Sequence, residues 1–234
     1  MKKIKIGIVV ADIEEYKPLK EYAESKEYTD YSFLGRQGHS FKVKTENATA
    51  EVVSILSGIG KVNATAAATH LIDNGFDIIL SYGLSGGISG VGRGDLSICD
   101  RFLEHDFDLT GIGYKPCEKP LQKYIYEADK NLCNLALKVL PNAKIGTAVS
   151  GDSFVCDEEV RNRLKNEFGA MSCDMETAAI AYVCEFSSTP FLALRRISDD
   201  AGSDAYESYT DMNTNDQTEL WYYVIEIIKA VLES

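Results

Sequence analysis

Six short runs rich in Ile, Val and Leu alternate with helix-length segments, and this alternation limits the chain's folding options more than any other feature. The runs are Lys5–Ala11, Glu51–Leu56, Asp77–Tyr82, Asp95–Asp100, Lys144–Val149 and Phe191–Ile197. Between several of them lie Glu14–Ser25, Lys61–Asn74, Lys130–Val139, Glu158–Phe168 and Thr177–Phe186, each long enough for a helix. Runs without polar alternation bury both faces, so the pattern predicts a three-layer αβα domain around a mixed, mainly parallel sheet. The Ala-rich stretch Val62–Ile72 stops at Gly75, and Asp77 opens the next strand. A last helix over Thr218–Leu232 presents Leu220, Val224, Ile227, Ile228 and Val231 at helical spacing. No repeat, low-complexity tract or linker divides the 234 residues, so residues 1–234 read as a single domain. The longest irregular region, Leu103 to Tyr126, is long enough to expect a functional loop.

Charge removes several classes of partner. The chain carries 24 Lys and Arg against 36 Asp and Glu, a net charge of −12. Nucleic acid and anionic membrane surfaces require clustered cations, so neither is expected as a partner. The basic start at Lys2, Lys3 and Lys5 resembles an export signal, but the apolar run that follows ends at Asp12. That is too short for export, and no stretch approaches the ~20 apolar residues of a membrane span. Cys99, Cys117, Cys133, Cys156, Cys173 and Cys184 contain no C-x-x-C pair. They are expected to be reduced, mostly buried thiols of a cytoplasmic protein.

The motifs need weighing. Gly83, Ser85 and Gly87 after a strand fit the G-x-S-x-G nucleophile elbow of an esterase. The only histidine downstream is His105, which leaves almost no chain for the rest of a Ser, acid, His triad. Phosphate fingerprints fail too: Gly60-Lys61 is followed by Val62, and Gly58 and Gly60 are followed by Asn63 where a dinucleotide turn needs Gly or Ala. Gly58, Gly60, Gly83, Gly86 and Gly87 are expected to form tight turns at the carboxyl edge of the sheet, where open α/β sheets bind ligands. Acids sit at the same edge: Glu14 and Glu15 after the first strand, Asp174 and Glu176 around Met175, Asp199 and Asp200 after the last. Singly, each suits a helix N-terminus. Three such sites on one edge suggest a shared function.

Gly7-Ile8 through Glu15, Ser57 to Lys61, Gly86-Gly87, His105 to Thr110, Ser150 to Phe154, Asp174-Met175-Glu176 and Arg195 to Asp199 resemble, in order, the motifs of the 5′-methylthioadenosine/S-adenosylhomocysteine nucleosidases, within the nucleoside phosphorylase superfamily. The resemblance implies a nucleoside phosphorylase-like fold and a homodimer whose His105–Pro120 loop reaches the neighbour's pocket. It implies cleavage of the N-glycosidic bond of a small-molecule adenine nucleoside, without metal or organic cofactor. Breaking that bond needs an acid at the base, an anion near the ribose and a positioned water. The family pattern gives these roles to Asp199, Glu176 and Glu15 respectively. It also implies that Phe154 stacks on the base, that the backbone of Val155 meets its edge and that Met175 packs on the ribose. Ile59 and Tyr209 supply apolar surface, with Leu109, Ile112 and Pro120 contributed by the partner subunit.

Water rather than phosphate is the expected acceptor, because the stretch from Ile4 to Glu15 has no Arg and places two carboxylates at the strand end. Arg195 remains either an anion ligand or a group that orients Glu176. The open alternatives are a nucleosidase or phosphorylase of other purine nucleosides, and a binding module without chemistry. Three positions depart from the family pattern: Asp12 for an apolar residue, Ile112 for an aromatic, and Leu84 for a small Ser. An ionised Asp12 near a thioether is unfavourable unless it is hydrogen-bonded or turned to solvent, so two readings stay open: a polar 5′ group is its complement, or Asp12 merely caps the helix that begins near Ile13.

Overall fold

The computed structural model describes residues 3–215 and 219–234. The chain runs β1 (Lys3–Val10), α1 (Ile13–Glu24), β2 (Tyr28–Phe33), β3 (Arg36–Lys44), β4 (Thr49–Leu56), α2 (Lys61–Asp73), β5 (Ile78–Gly87) and β6 (Leu96–Glu104). It continues through a 3₁₀ turn at Thr110–Ile112 to β7 (Ile125–Glu127), α3 (Lys130–Val139), β8 (Lys144–Ser150) and α4 (Glu158–Phe168). The last elements are β9 (Ser172–Asp174), α5 (Thr177–Ser187), β10 (Phe191–Asp199), α6 (Ala205–Asn215) and α7 (Leu220–Leu232).

Period-2 side-chain alternation explains how the strands carry two helical layers. Ile6, Ile8 and Val10 of β1, Leu80 and Tyr82 of β5, and Leu192 and Leu194 of β10 face α1, α3 and α7 in one core. Val9, Ile79 and Ala193, which alternate with them, face the Ala-rich helices α2 and α5 in the other. The small residues let α2 approach closely: a Cβ at Gly7 would lie 2.8 Å from Leu71 Cδ1. A third, smaller cluster around Val149, Leu164 and Ala170 seats α4.

The ten strands form one mixed sheet in the order β10-β6-β8-β9-β5-β1-β4-β3-β2, with β7 on β6. β10 also pairs with β5, so one end of the sheet closes on itself and β5 touches β1, β9 and β10. β1 lies parallel to β4 and β5, and β10 parallel to β5. The antiparallel pairs include β2–β3, β3–β4 and β10–β6.

Each of the six predicted strands and each of the predicted helices occurs. The predicted last helix began at Thr218, outside the described residues; α7 itself starts at Leu220. Three regular elements of useful length, β2, β3 and α6, escaped the sequence pattern. The β2–β3 hairpin was missed because β2 buries none of its residues and so lacks alternation. α6 was missed because its sequence is largely polar. The expected long loop starts later than predicted, since Leu103 and Glu104 belong to β6. Cys99, Cys117, Cys173 and Cys184 are buried as expected, and Cys156 is exposed. Gly58 and Gly60 do turn the chain, with φ of 81° and 99°. Gly83, Gly86 and Gly87 do not: they lie inside β5, and their role is to leave room for other side chains.

Candidate active site

The sheet topology brings the carboxyl ends of β1, β4, β5, β8, β9 and β10 to one cleft of about 420 Å³. Glu15 enters it from the first turn of α1. Asp12 caps that helix by accepting the Glu14 N–H at 2.7 Å, which fixes where the turn begins. Glu15 is buried, its Oε1 accepts the Leu84 N–H at 2.8 Å, and Tyr82 donates to its carbonyl at 3.1 Å. Gly83 makes this position possible, since a Cβ there would sit 2.6 Å from Glu15 Oε2. Burial pushes the Glu15 carboxyl up to about 8, against the opposing pull of the Leu84 N–H and of Arg195.

Asp174 closes β9 and Glu176 follows it. Asp174 Oδ1 accepts from Ser150 at 2.5 Å and from the Glu176 and Thr177 N–H groups at 3.1 Å. Its Oδ2 accepts from the Thr177 hydroxyl at 2.6 Å and from Arg195 Nε at 3.0 Å. Burial alone would raise its pKa, but Arg195 and these hydrogen bonds hold it below the usual carboxylate range. Glu176 is raised instead, by burial first and by the adjacent Asp174 charge, although its Oε1 accepts the Gly60 N–H at 2.8 Å.

Asp199 ends β10. Its Oδ1 accepts the Ala201 N–H at 2.8 Å, and its Oδ2 lies 2.6 Å from the Ser198 hydroxyl. Burial raises its pKa and Asp200 adds to the rise, while the bonds from Ser198 and Ala201 oppose it. The Ser198 hydroxyl also lies 3.3 Å from the Ser85 carbonyl. Donation in that direction leaves Ser198 Oγ free to accept from a protonated Asp199, so the geometry accommodates a neutral acid there. Asp200 itself is exposed and lies 3.9 Å from Arg161.

Ile59, Phe154, Met175 and Tyr209 complete the apolar lining. Phe154 is 43% exposed and meets Tyr209 edge to face, with centroids 5.5 Å apart. Val155 lines a small recess between Phe154 and Asp199. Other predicted residues do not reach the cleft. Arg195 is 2% exposed, and its guanidinium contacts Asp174, Ser81 and the Leu194 carbonyl rather than Glu176. Leu109, Ile112 and Pro120 do not line the cleft of their own chain, and Ile112 is 73% exposed.

Sequence reasoning assigned no role to Asp152, which lines the cleft and accepts the Lys61 N–H at 2.8 Å. Lys61 Nζ reaches Asp106 at 2.5 Å and Glu104 at 3.1 Å, and Asp106 accepts the Asp152 N–H at 2.9 Å. This network ties the start of the 105–120 loop to the cleft rim. The only sequence signal was the acid inside the Ser150 to Phe154 block. A larger depression of about 740 Å³ lies between α3 and β8, but its acids Asp100 and Glu127 are exposed. The chemistry therefore selects the smaller cleft. Among the described residues, no group of three or more His, Cys, Asp or Glu is arranged to hold a metal ion.

A mixed sheet between two helical layers, with buried carboxylates gathered at its carboxyl edge, defines an α/β protein with a ligand cleft built for acid and base chemistry. The phosphorylase superfamily profile matches residues 5–232, and the chain belongs to that superfamily. It is 35% identical over 234 residues to the 5′-methylthioadenosine/S-adenosylhomocysteine nucleosidase of Staphylococcus carnosus, covering 97% of this chain and 100% of that protein. It is 32% identical over 218 residues to the aminodeoxyfutalosine nucleosidase of Campylobacter jejuni, covering 91% and 93%. The Helicobacter pylori 5′-methylthioadenosine/S-adenosylhomocysteine nucleosidase bound to butyl-thio-DADMe-Immucillin-A superposes with a TM-score of 0.90 at 28% identity, covering 98% and 99%.

Proposed function

We propose that this chain is an N-glycosyl hydrolase that cleaves 5′-methylthioadenosine, S-adenosylhomocysteine or related adenine nucleosides to adenine and the free sugar. The observation that carries the reading is the convergence of Glu15, Glu176 and Asp199 on one cleft, each with a raised pKa, in a lining that contains no Lys or Arg among the described residues. Such a lining gives a phosphate dianion no cation to pair with and supplies carboxyl groups for a reaction whose transition state is a cationic sugar.

The C1′–N9 bond breaks and its electron pair leaves with the purine. Asp199 delivers its proton to N7, which keeps the departing base from carrying a full negative charge. Glu176 binds a ribose hydroxyl and stabilises the developing positive charge. Water bonds to C1′ and its proton passes to Glu15, which must be ionised to accept it. Burial keeps Glu15 mostly protonated in the empty site at pH 7, so the reactive form is the fraction that has released its proton to solvent, and positive charge developing on the ribose stabilises that carboxylate. Phe154 supplies a face for the base, Met175 packs on the sugar, and Asp174 with Arg195 holds the segment that carries Glu176.

The chain works as a cytoplasmic homodimer, in which Leu109, Ile112 and Pro120 of one subunit cover the 5′ end of the neighbour's pocket. Incubation with methylthioadenosine, S-adenosylhomocysteine, adenosine and inosine, with and without phosphate, tests the proposal. Free sugar independent of phosphate is expected. Sugar 1-phosphate would overturn hydrolysis, and no turnover would reduce the protein to a binding module.

A further inference from the structure

The cleft does not end at its apolar lining. It shares Ala11, Asp12 and Ile59 with a shallow groove of about 470 Å³ that continues over β3 and also takes in Arg36, Gln37 and Gly58. An anion therefore stands at the junction of cleft and groove, and a cation lies further along the groove.

Local structure holds both groups in place. Asp12 is the N-cap of α1, where its Oδ1 accepts the Glu14 N–H, so the carboxylate has a fixed position and a second oxygen for a ligand. Arg36 begins β3 directly after Leu34 and Gly35, both with positive φ (48° and 72°), which makes the hairpin turn tight and the Arg36 position well defined. One guanidinium nitrogen donates to Asn63 Oδ1 at 2.5 Å, and Asn63 Nδ2 donates to the Ile59 carbonyl at 2.6 Å. The guanidinium is thus anchored through Asn63 and packs over Gly58, where an added Cβ would collide with Nη1, and from that fixed position it lines the groove.

We infer that Asp12 and Arg36 together form a subsite for a zwitterionic α-amino acid carried on the 5′ substituent, with the ammonium at Asp12 and the carboxylate at Arg36. An amino acid places these two charges on one carbon, and a single anion or cation alone would satisfy only half of the groove. The inference rests on the nucleosidase reading and refines it. S-adenosylhomocysteine carries such a tail, whereas methylthioadenosine ends in a methyl group that leaves both charges to solvent. Preordered partners cost little further entropy on binding, which favours discrimination between the two substrates.

The test compares kcat/KM for S-adenosylhomocysteine, its desamino and decarboxylated analogues, and methylthioadenosine. In the wild-type enzyme, loss of either charge from the tail is expected to lower kcat/KM about tenfold, equivalent to ~1.4 kcal/mol. Arg36→Gln should reduce the S-adenosylhomocysteine to methylthioadenosine ratio by about the same factor and abolish the penalty for decarboxylation. Asp12→Asn, which retains a good helix cap, should abolish the penalty for removing the amino group. If both nucleosides are cleaved but neither analogue nor variant moves the ratio by more than about twofold, the subsite is wrong while the nucleosidase reading stands. If neither nucleoside is cleaved, both fall. The wild-type comparison with analogues requires no folded variant.

Discussion

Asp174 and Glu15 are both buried at the base of the same cleft, yet their surroundings drive them in opposite directions. Asp174 receives five donors, from Ser150, the Glu176 and Thr177 N–H groups, the Thr177 hydroxyl and Arg195. Glu15 receives the Leu84 N–H and faces the cleft, with Glu176 and Asp12 close enough to raise its pKa further. The first carboxylate is stabilised as an anion and fastens β8, β9, α5 and β10 to one another. The second is kept from its preferred charge state, a condition typical of groups that move protons. Burial alone does not separate a structural acid from a reactive one; the number and charge of its donors do.

The comparison breaks most visibly if Asp174 is truncated. Asp174→Ala leaves the Arg195 guanidinium buried without its counter-charge, at an expected cost of ~3–5 kcal/mol. Thermal unfolding checks this, with a drop of roughly 10 °C expected for a chain of this size. A small change would show that Arg195 finds another anion.

Glu15 should behave in the opposite sense. Its folded pKa of about 8 lies above the ordinary 4.5, so between these values the folded chain holds a proton that the unfolded chain has released. Stability contributed by this group is full below about pH 4.5 and is lost as pH rises to about 8. Glu15→Gln cannot ionise and keeps an acceptor for the Leu84 N–H, so it should be more stable than wild type at pH 8 by on the order of 3 kcal/mol. Activity should meanwhile be lost. Parallel stability curves for the two proteins across this pH range would refute the assignment.

Asp199→Asn and Glu176→Gln sharpen the same contrast on the kinetic side. Each preserves shape and removes a proton or a charge required in the transition state, so kcat should fall about 10²-fold or more, ~2.7 kcal/mol, while the unfolding temperature at neutral pH is kept or raised, because burial also lifts the pKa of both acids. Wild-type kcat/KM should be bell-shaped, because the reactive form needs Glu15 ionised and Asp199 protonated, with apparent pKa values that belong to the interacting set. Rates near wild type in either variant would place the chemistry elsewhere.

Much of this contrast was legible before any coordinates. Glu15 and Asp199 close predicted apolar runs, whereas the three-residue strand that ends in Asp174 had no such run, and the roles of Glu15, Glu176 and Asp199 came from the family resemblance rather than from composition. The partners of those acids were not legible. That Arg195 serves Asp174 and not Glu176 depends on a closure of the sheet, β10 against β5 and β9 against β5, that no local pattern encodes. Gly83 reads as a turn residue by propensity, whereas tertiary structure uses it in mid-strand to admit a carboxylate from α1. β2 was invisible because an edge strand with no fully buried residue imprints no period on the sequence, whereas β3, which carries Arg36, buries Phe41 and Val43 but has only polar residues and Gly from Arg36 to Ser40.

The smallest expected effect concerns the rim, where Phe154 differs from the acids beneath it in being 43% exposed. An aromatic ring this open contributes little to the fold, and its edge-to-face contact with Tyr209 at 5.5 Å leaves a face available to a purine. Phe154→Leu keeps apolar volume but removes the flat ring. KM for methylthioadenosine should rise about fivefold, close to 1 kcal/mol, with kcat changed less, because the base is held by stacking before and during bond cleavage alike. Unfolding temperature should stay within about 2 °C. If instead stability fell and KM did not move, Phe154 would belong to the packing around α6 and the base would have to rest on another surface.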